Sequence, residues 1–205
     1  MKTNWIEHMK NLLVKKPEVK YFFSKDKFPL NLVDGSYPIF ISLKDRGIYA
    51  AHSIFICSDD ELHAIKEHLS NIFNVNKDAI GNEGVIYDSG IVHHPLFRDA
   101  IEIQKTYSLI YTFTKSFKGN LIDLVTNSSF FVETIKSAGI KEPVPWDVFP
   151  ELEPDTFGSL QGELEFWWES IWSPFWHSLS PDERNDFLVK NNATPQWREF
   201  IEFHC

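Results

Sequence analysis

Apolar residues recur every three to four positions in two segments that have clear helix starts. Asn4 with Glu7, and Ser58 with Glu61, each form a capping box, in which two side chains satisfy free backbone N–H groups of the first turn. The apolar stripe behind the second box consists of Leu62, Ile65, Leu69, Ile72 and Phe73. The sequence therefore predicts a helix after each box, and the first helix ends before Pro17 because proline cannot continue it.

Between and after these helices the chain has the composition of strands. Segments 37–43 and 48–57 are rich in Ile, Phe and Tyr and flank a turn-like sequence at 44–47, which predicts a β-hairpin. Two shorter strands, 85–87 and 91–93, are predicted around the turn Asp88-Ser89-Gly90. We expect these strands to form a small antiparallel sheet.

Two later segments are predicted as helices. In segment 96–117 the apolar spacing suits a helix, although the alternation of Tyr107, Leu109, Tyr111 and Phe113 would also suit a strand. Asn120 opens a further apolar stripe, which Gly139 would end as a C-cap.

The C-terminal part begins with a run of prolines. Four prolines within 142–158 are too many for a helix interior or a central strand. Beyond them, Ser173, Ser180 and Thr194 each precede a proline, which predicts the starts of several short helices. The predicted organisation is an α+β core at 1–139, a Pro-rich acidic linker or crossing at 140–158, and an all-helical, aromatic-rich region at 159–205 that packs on the core as a single domain.

Charge divides the chain unevenly. Residues 1–118 contain 15 Lys and Arg against 14 Asp and Glu, whereas residues 119–205 contain 5 against 15, a net charge of −10. Six of the seven tryptophans lie from Trp146 onward, within the same acidic part. Nucleic acids and anionic membranes bind proteins through Lys and Arg, so neither is an expected partner.

Several classes of function lack their usual sequence signals. The chain has no glycine-rich phosphate loop, no His-Glu-x-x-His and no paired Cys-x-x-Cys, so we expect neither a nucleotide cofactor nor a metal. Cys57 and Cys205 are too few and too far apart for a disulfide framework. With no secretory signal and no apolar run of about 18 residues, the expected location is the cytoplasm.

One group of residues resembles an active site in composition. Asp88, Ser89, His93 and His94 place a carboxylate, a hydroxyl and two imidazoles close together in sequence. The alternative is that Asp88 and Ser89 only form the turn and that the histidines end a strand, because nothing fixes a base against a nucleophile. We therefore favour a binding protein over an enzyme.

The predicted binding surface lies in the C-terminal region. Carboxylates would steer a basic partner and indole rings would anchor it, since tryptophan is a favoured hot-spot residue. The predicted contact residues are Glu163, Glu165, Trp168, Glu169, Trp172 and Trp176. An immunity or antitoxin protein that covers a basic toxin, for example a nuclease, would have these properties.

Two alternatives to this surface remain open at the level of sequence. The tryptophans can belong to the hydrophobic core, and Trp167 or Trp172 can form a stacking platform for a carbohydrate or another small ligand. The sequence leaves the oligomeric state undetermined.

Overall fold

The computed structural model describes residues 36–87, 90–92, 108–156 and 159–205, together with Phe23 and Lys25. These residues form one six-stranded sheet with helices around it, which confirms the predicted α+β class and the helical C-terminal region. The predicted first helix, at residues 4–16, lies outside the described residues.

The strands are β1 (Ile41–Ser42), β2 (Ala51–Cys57), β3 (Glu83–Tyr87), β4 (Gly90–Val92), β5 (Ser108–Ser116) and β6 (Gly119–Thr126). The helices are α1 (Asp59–Phe73), α2 (Ser129–Ser137), α3 (Pro145–Val148), α4 (Glu163–Trp167), α5 (Ser173–Ser178), α6 (Pro181–Lys190) and α7 (Pro195–His204). A π-helical turn, Trp168–Trp172, joins α4 to α5, and short 3-10 turns occupy Lys44–Arg46, Lys77–Ala79 and Pro154–Thr156.

All neighbouring strands in the sheet are antiparallel, in the order β1-β2-β6-β5-β3-β4. The predicted hairpin is present as β1 and β2, and the two strands predicted around the Asp88-Ser89-Gly90 turn are β3 and β4. Strand β1 is shorter than predicted. Ahead of it, the Ser53 hydroxyl donates to the Ile39 carbonyl at 2.7 Å, so a side chain rather than the strand ladder holds this stretch.

The two helices predicted in the middle of the chain are partly wrong. Residues 108–116 of the first form β5, and residues 120–126, the start of the second, belong to β6. Strand β6 is buried on both faces, so its sequence is a nearly continuous apolar run. The spacing of apolar residues cannot distinguish such a strand from a buried helix. Helix α2 begins only at Ser129, where the Ser128 hydroxyl accepts a hydrogen bond from the Phe131 N–H.

A tight turn joins β5 to β6. Phe117 and Lys118 have φ angles of 52° and 60°, the left-handed conformation that a two-residue hairpin of type I′ requires. Gly119 follows directly, and a Cβ atom there would lie 2.9 Å from the Cys57 carbonyl oxygen. Only glycine allows β2 and β6 to approach this closely.

Helix α1 has the predicted capping box and covers one face of the sheet. The Ser58 hydroxyl accepts from the Glu61 N–H, and the Glu61 carboxylate accepts from the Ser58 N–H. The buried residues of α1 are Ile65, Leu69 and Phe73. The Lys66 ammonium lies 5.4 Å from the centre of the Phe113 ring, which identifies the covered face as the one from which Phe113 projects.

The C-terminal helices begin largely where the sequence predicts. The caps at Ser180 and Thr194 are confirmed, and Ser180 forms a full capping box with Glu183. The predicted helix start at Ser173 is wrong, because α4, the π turn and α5 are continuous through this residue. Pro174 is accommodated directly after the π turn, where the regular hydrogen-bond ladder is already interrupted.

Two apolar clusters hold the molecule together. The larger contains sheet residues such as Phe55 and Ile122 together with Trp167, Trp172 and Ile201 from the C-terminal helices. The smaller lies at one end of the sheet and consists of Phe23, Leu43, Ile48, Ala50, Val85, Ile110 and Val125. The larger cluster is thus continuous between the predicted core and the predicted helical region.

Candidate functional site

The tryptophans of α4, the π turn and α5 form a buried stacked column. Trp167 lies over Trp172 with ring centres 6.0 Å apart and an interplanar angle of 13°, and Trp172 lies over Trp176 at 5.5 Å and 18°. Trp167 and Trp172 are five residues apart, and they align because the π turn adds one residue to the helical repeat. Arg184 lies at the end of this column, with its guanidinium group 5.3 Å from the centre of the Trp176 ring.

This burial overturns the predicted role of the indole rings. Trp168, Trp172 and Trp176 are only 1%, 1% and 6% exposed, so the expectation that these rings face the solvent is wrong. A sealed ring cannot anchor a partner, and for the same reason neither Trp167 nor Trp172 forms a stacking platform. The rings are buried because α4, the π turn and α5 have few other apolar side chains with which to cover the sheet. Aromatic rings supply most of their buried side chains.

The three predicted glutamates are placed differently from the rings. Glu163 and Glu169 are exposed and Glu165 is half-buried. Within the described residues, none of the three carboxylates has a hydrogen-bond or ion-pair partner. Their charges are therefore available to a partner.

The arginine side chains of the C-terminal region form hydrogen bonds with backbone carbonyl groups rather than with these glutamates. From residue 142 onward the chain has 13 acidic residues and three basic ones, Arg184, Lys190 and Arg198. Arg184 donates to the Trp176 carbonyl at 2.9 Å, and Arg198 donates to the Ala193 carbonyl at 3.3 Å. The two arginines fix helix ends rather than neutralise the glutamates.

A cleft of about 120 Å³ opens between the β1–β2 edge of the sheet and the π turn. The residues that line it are Tyr37, Ile39, Ile41, His52, Ile54, Glu169, Ser170, Ile171 and Pro174. His52 and Ile54 alternate with Phe55 along β2, so they project from the face of the sheet opposite α1. Glu169 is thus a predicted contact residue that also borders a cavity.

A buried acid–base pair lies beside this cleft and was missed at the sequence level. His52 Nε2 is 2.8 Å from Asp123 Oδ1, and the two side chains are only 12% and 9% exposed. The residues are 71 positions apart, and the antiparallel register of β2 and β6, in which Asp123 pairs with Ile54, brings them together. Because the sequence predicts a helix over 120–126, it does not predict Asp123 as the partner of His52.

Glu67 and Cys57 fill structural roles. On α1, Glu67 contacts His63 at 3.4 Å and Lys77 at 2.7 Å, and Lys77 lowers the pKa of Glu67. Burial raises the pKa of Cys57 to about 12, which makes its thiol a poor nucleophile. Among the described residues, no group of three or more His, Cys, Asp or Glu side chains is arranged to hold a metal ion.

The predicted catalytic alternative is not described by the structure. Asp88, Ser89, His93 and His94 all lie outside the described residues, so this alternative stays a prediction.

The structural class is therefore an α+β domain in which a tryptophan-rich helical region packs on a six-stranded antiparallel sheet. No family model matches the chain, and neither does any curated protein or solved structure with which it was compared. None of the helices in the described ranges is long and apolar enough to span a membrane.

Proposed function

We propose that this chain is a binding protein for a basic protein partner, and that it acts as a cytoplasmic immunity or antitoxin protein that masks a basic toxin, for example a nuclease. The observation that carries the proposal is the set of exposed or half-exposed carboxylates at Glu163, Glu165 and Glu169, which have no intramolecular partner among the described residues. They belong to a region with 13 acidic and three basic residues. Such a surface attracts a cationic protein and repels nucleic acid.

The apolar contribution to binding must come from side chains other than the buried indoles. Phe203 on α7 is 78% exposed. It is followed by His204, whose ring lies 6.1 Å from that of Trp168, the residue before Glu169. The end of α7 therefore packs against the π turn, and Phe203 replaces the tryptophans as the proposed aromatic anchor.

Charge reversal tests the proposal. The triple variant Glu163→Lys, Glu165→Lys, Glu169→Lys should lose capture of a basic protein from the native cell at low salt. Association of a captured partner with the unmodified protein should slow as salt is raised, because steering by exposed charges is screened.

The matched control reverses three exposed carboxylates elsewhere, with Asp45→Lys, Glu83→Lys and Glu133→Lys. The control and the test variant have the same net charge. A difference in capture between them therefore reports the position of the reversed charges rather than the net charge of the protein. Equal capture by the test variant and the unmodified protein, with unchanged salt dependence, would rule the proposal out.

A further inference from the structure

The cleft beside the π turn has apolar walls. Ile39, Ile41 and Ile54 line it from the sheet, and Ile171 and Pro174 line it from the helical side. Ile41 is 49% exposed although it is a large apolar residue on the edge strand β1. The walls are therefore suited to the hydrocarbon part of a ligand that enters from the solvent.

The polar groups open to a ligand in this cleft are acceptors on the π turn. Glu169 provides an exposed carboxylate without an intramolecular partner among the described residues, and Ser170 provides a half-buried hydroxyl. The Tyr37 hydroxyl is already engaged, because it accepts from the Ile56 N–H at 3.1 Å. The cleft thus offers hydrogen-bond acceptors and negative charge.

No uncompensated positive charge faces the cleft from its lining. His52 is the only basic side chain among the lining residues, and its Nε2 is held 2.8 Å from the Asp123 carboxylate. Any charge that His52 carries is balanced by Asp123. The electrostatic preference of the cleft is therefore for a cation.

The backbone supports a binding role for the same residues. The Ser173 N–H donates to the Trp168 carbonyl across five positions, so Glu169 and Ser170 lie within a π turn. Such turns insert one extra residue into a helix and occur frequently at functional sites. Here the inserted residue keeps the indole column aligned while two polar residues border the cleft.

The volume of the cleft limits the size of the ligand. A cleft of about 120 Å³ is several times larger than the roughly 10–15 Å³ that a single water needs. A lysine side chain, with a four-carbon stem and one ammonium group, fits this space and matches the apolar walls and the acceptors at the mouth.

We propose that this cleft receives a single lysine side chain of the basic partner, with the stem against the isoleucines and the ammonium group at Glu169 and Ser170. The inference rests on the proposed function, and it names the contact that the acidic surface makes.

A small probe tests the cleft without any partner. Nα-acetyl-lysine N-methylamide is titrated into the full chain while the isoleucine methyl resonances are followed by NMR. We expect saturable shifts of Ile39, Ile41, Ile54 and Ile171. The uncharged norleucine analogue, which keeps the stem and lacks the ammonium group, should bind more weakly.

Two variants test the role of Glu169. Glu169→Gln should weaken probe binding by about two- to fivefold, the range of an exposed ion pair. Glu163→Gln removes an equivalent exposed charge that does not line the cleft and should leave binding unchanged. Absence of saturable shifts, or equal affinity for the norleucine analogue, would overturn the inference.

A blocking variant separates this inference from the proposed function. Ile41→Trp fills the cleft without changing any charge, and it should abolish probe binding and weaken partner capture. Unchanged capture by Ile41→Trp would overturn the lysine contact while the acidic surface remains supported. Unchanged capture by the triple lysine variant would instead reject the proposed function itself.

Discussion

At the scale of single residues, the same segment contains both the most buried and the most available side chains. Trp168 and Glu169 are neighbours, yet the indole is 1% exposed and the carboxylate faces the solvent. Their effects on stability should therefore differ sharply.

Trp172 should be a major contributor to stability rather than to binding. It stacks between Trp167 and Trp176 and contacts Phe175 and Phe187. Trp172→Ala should lower the free energy of unfolding by about 3–5 kcal/mol, because it opens a large cavity in the core. Urea unfolding at equilibrium measures this loss.

Glu169→Ala provides the neighbouring control and should change stability by no more than about 0.5 kcal/mol. A loss below about 1 kcal/mol for Trp172→Ala would contradict the buried column, since core truncations of this size cost more.

His204 should make stability depend on pH. Partial burial lowers its pKa below the ordinary value of about 6.5. The unfolded chain therefore binds a proton first as the pH falls, so the contribution of His204 is complete above about pH 6.5 and is lost as the pH falls through that value toward the lowered pKa.

Urea unfolding between about pH 5 and pH 7 measures this contribution. The variant His204→Gln should show a flatter dependence of stability on pH in this window, and NMR titration of the imidazole should give a midpoint below that of a free histidine. A midpoint at or above 6.5 would contradict the effect of burial.

At the scale of secondary structure elements, the π turn links the core to the cleft. Deletion of Ser170 would place Trp167 and Trp172 four residues apart, the spacing that stacks side chains in a regular α-helix. We expect the melting temperature to change by no more than about 4 °C, which corresponds to roughly 1 kcal/mol in a chain of this size. Binding of the lysine probe should be lost.

Deletion of Glu165 is the matched control within regular α-helix. It would turn the buried Leu164 by about 100° away from the core, because each α-helical residue rotates the chain by that angle. This variant should melt clearly earlier. Equal destabilisation by both deletions would show that the π turn is required for folding rather than for the cleft.

At the scale of the whole molecule, we predict that the sheet and the C-terminal helices unfold as one unit. The larger apolar cluster contains residues of both parts, from Phe55 on β2 to Ile201 on α7. Separation of the parts would expose the tryptophan column and the sheet face that it covers. That cost favours a single cooperative transition.

Two spectroscopic probes report on the two parts separately. Tryptophan fluorescence follows mainly the C-terminal region, which contains six of the seven tryptophans, and far-UV circular dichroism follows the entire chain. The two urea transitions should coincide. A helical region that melts before the sheet would instead indicate two independent domains.

Features that depend on neighbours along the chain could be predicted from the order of residues alone. The capping box at Ser58, the first-turn prolines Pro181 and Pro195 and the strands around the Asp88-Ser89-Gly90 turn follow from hydrogen bonds and backbone restrictions within a few residues. The excess of negative charge is a property of composition, and the α+β class follows from the spacing of apolar residues along the chain.

Which side chains are buried and which distant residues meet depends instead on how the strands and helices pack together. The sequence of β6 alone predicts a helix, and the segment is a strand because β2 and β5 pair with it on either side. The pairing of β2 with β6 also places Asp123 next to His52. The sequence allowed the indoles to belong to the core or to a surface, and they became core because the sheet offered an apolar face to cover. Burial is a property of the assembled layers, so local spacing could not reveal it.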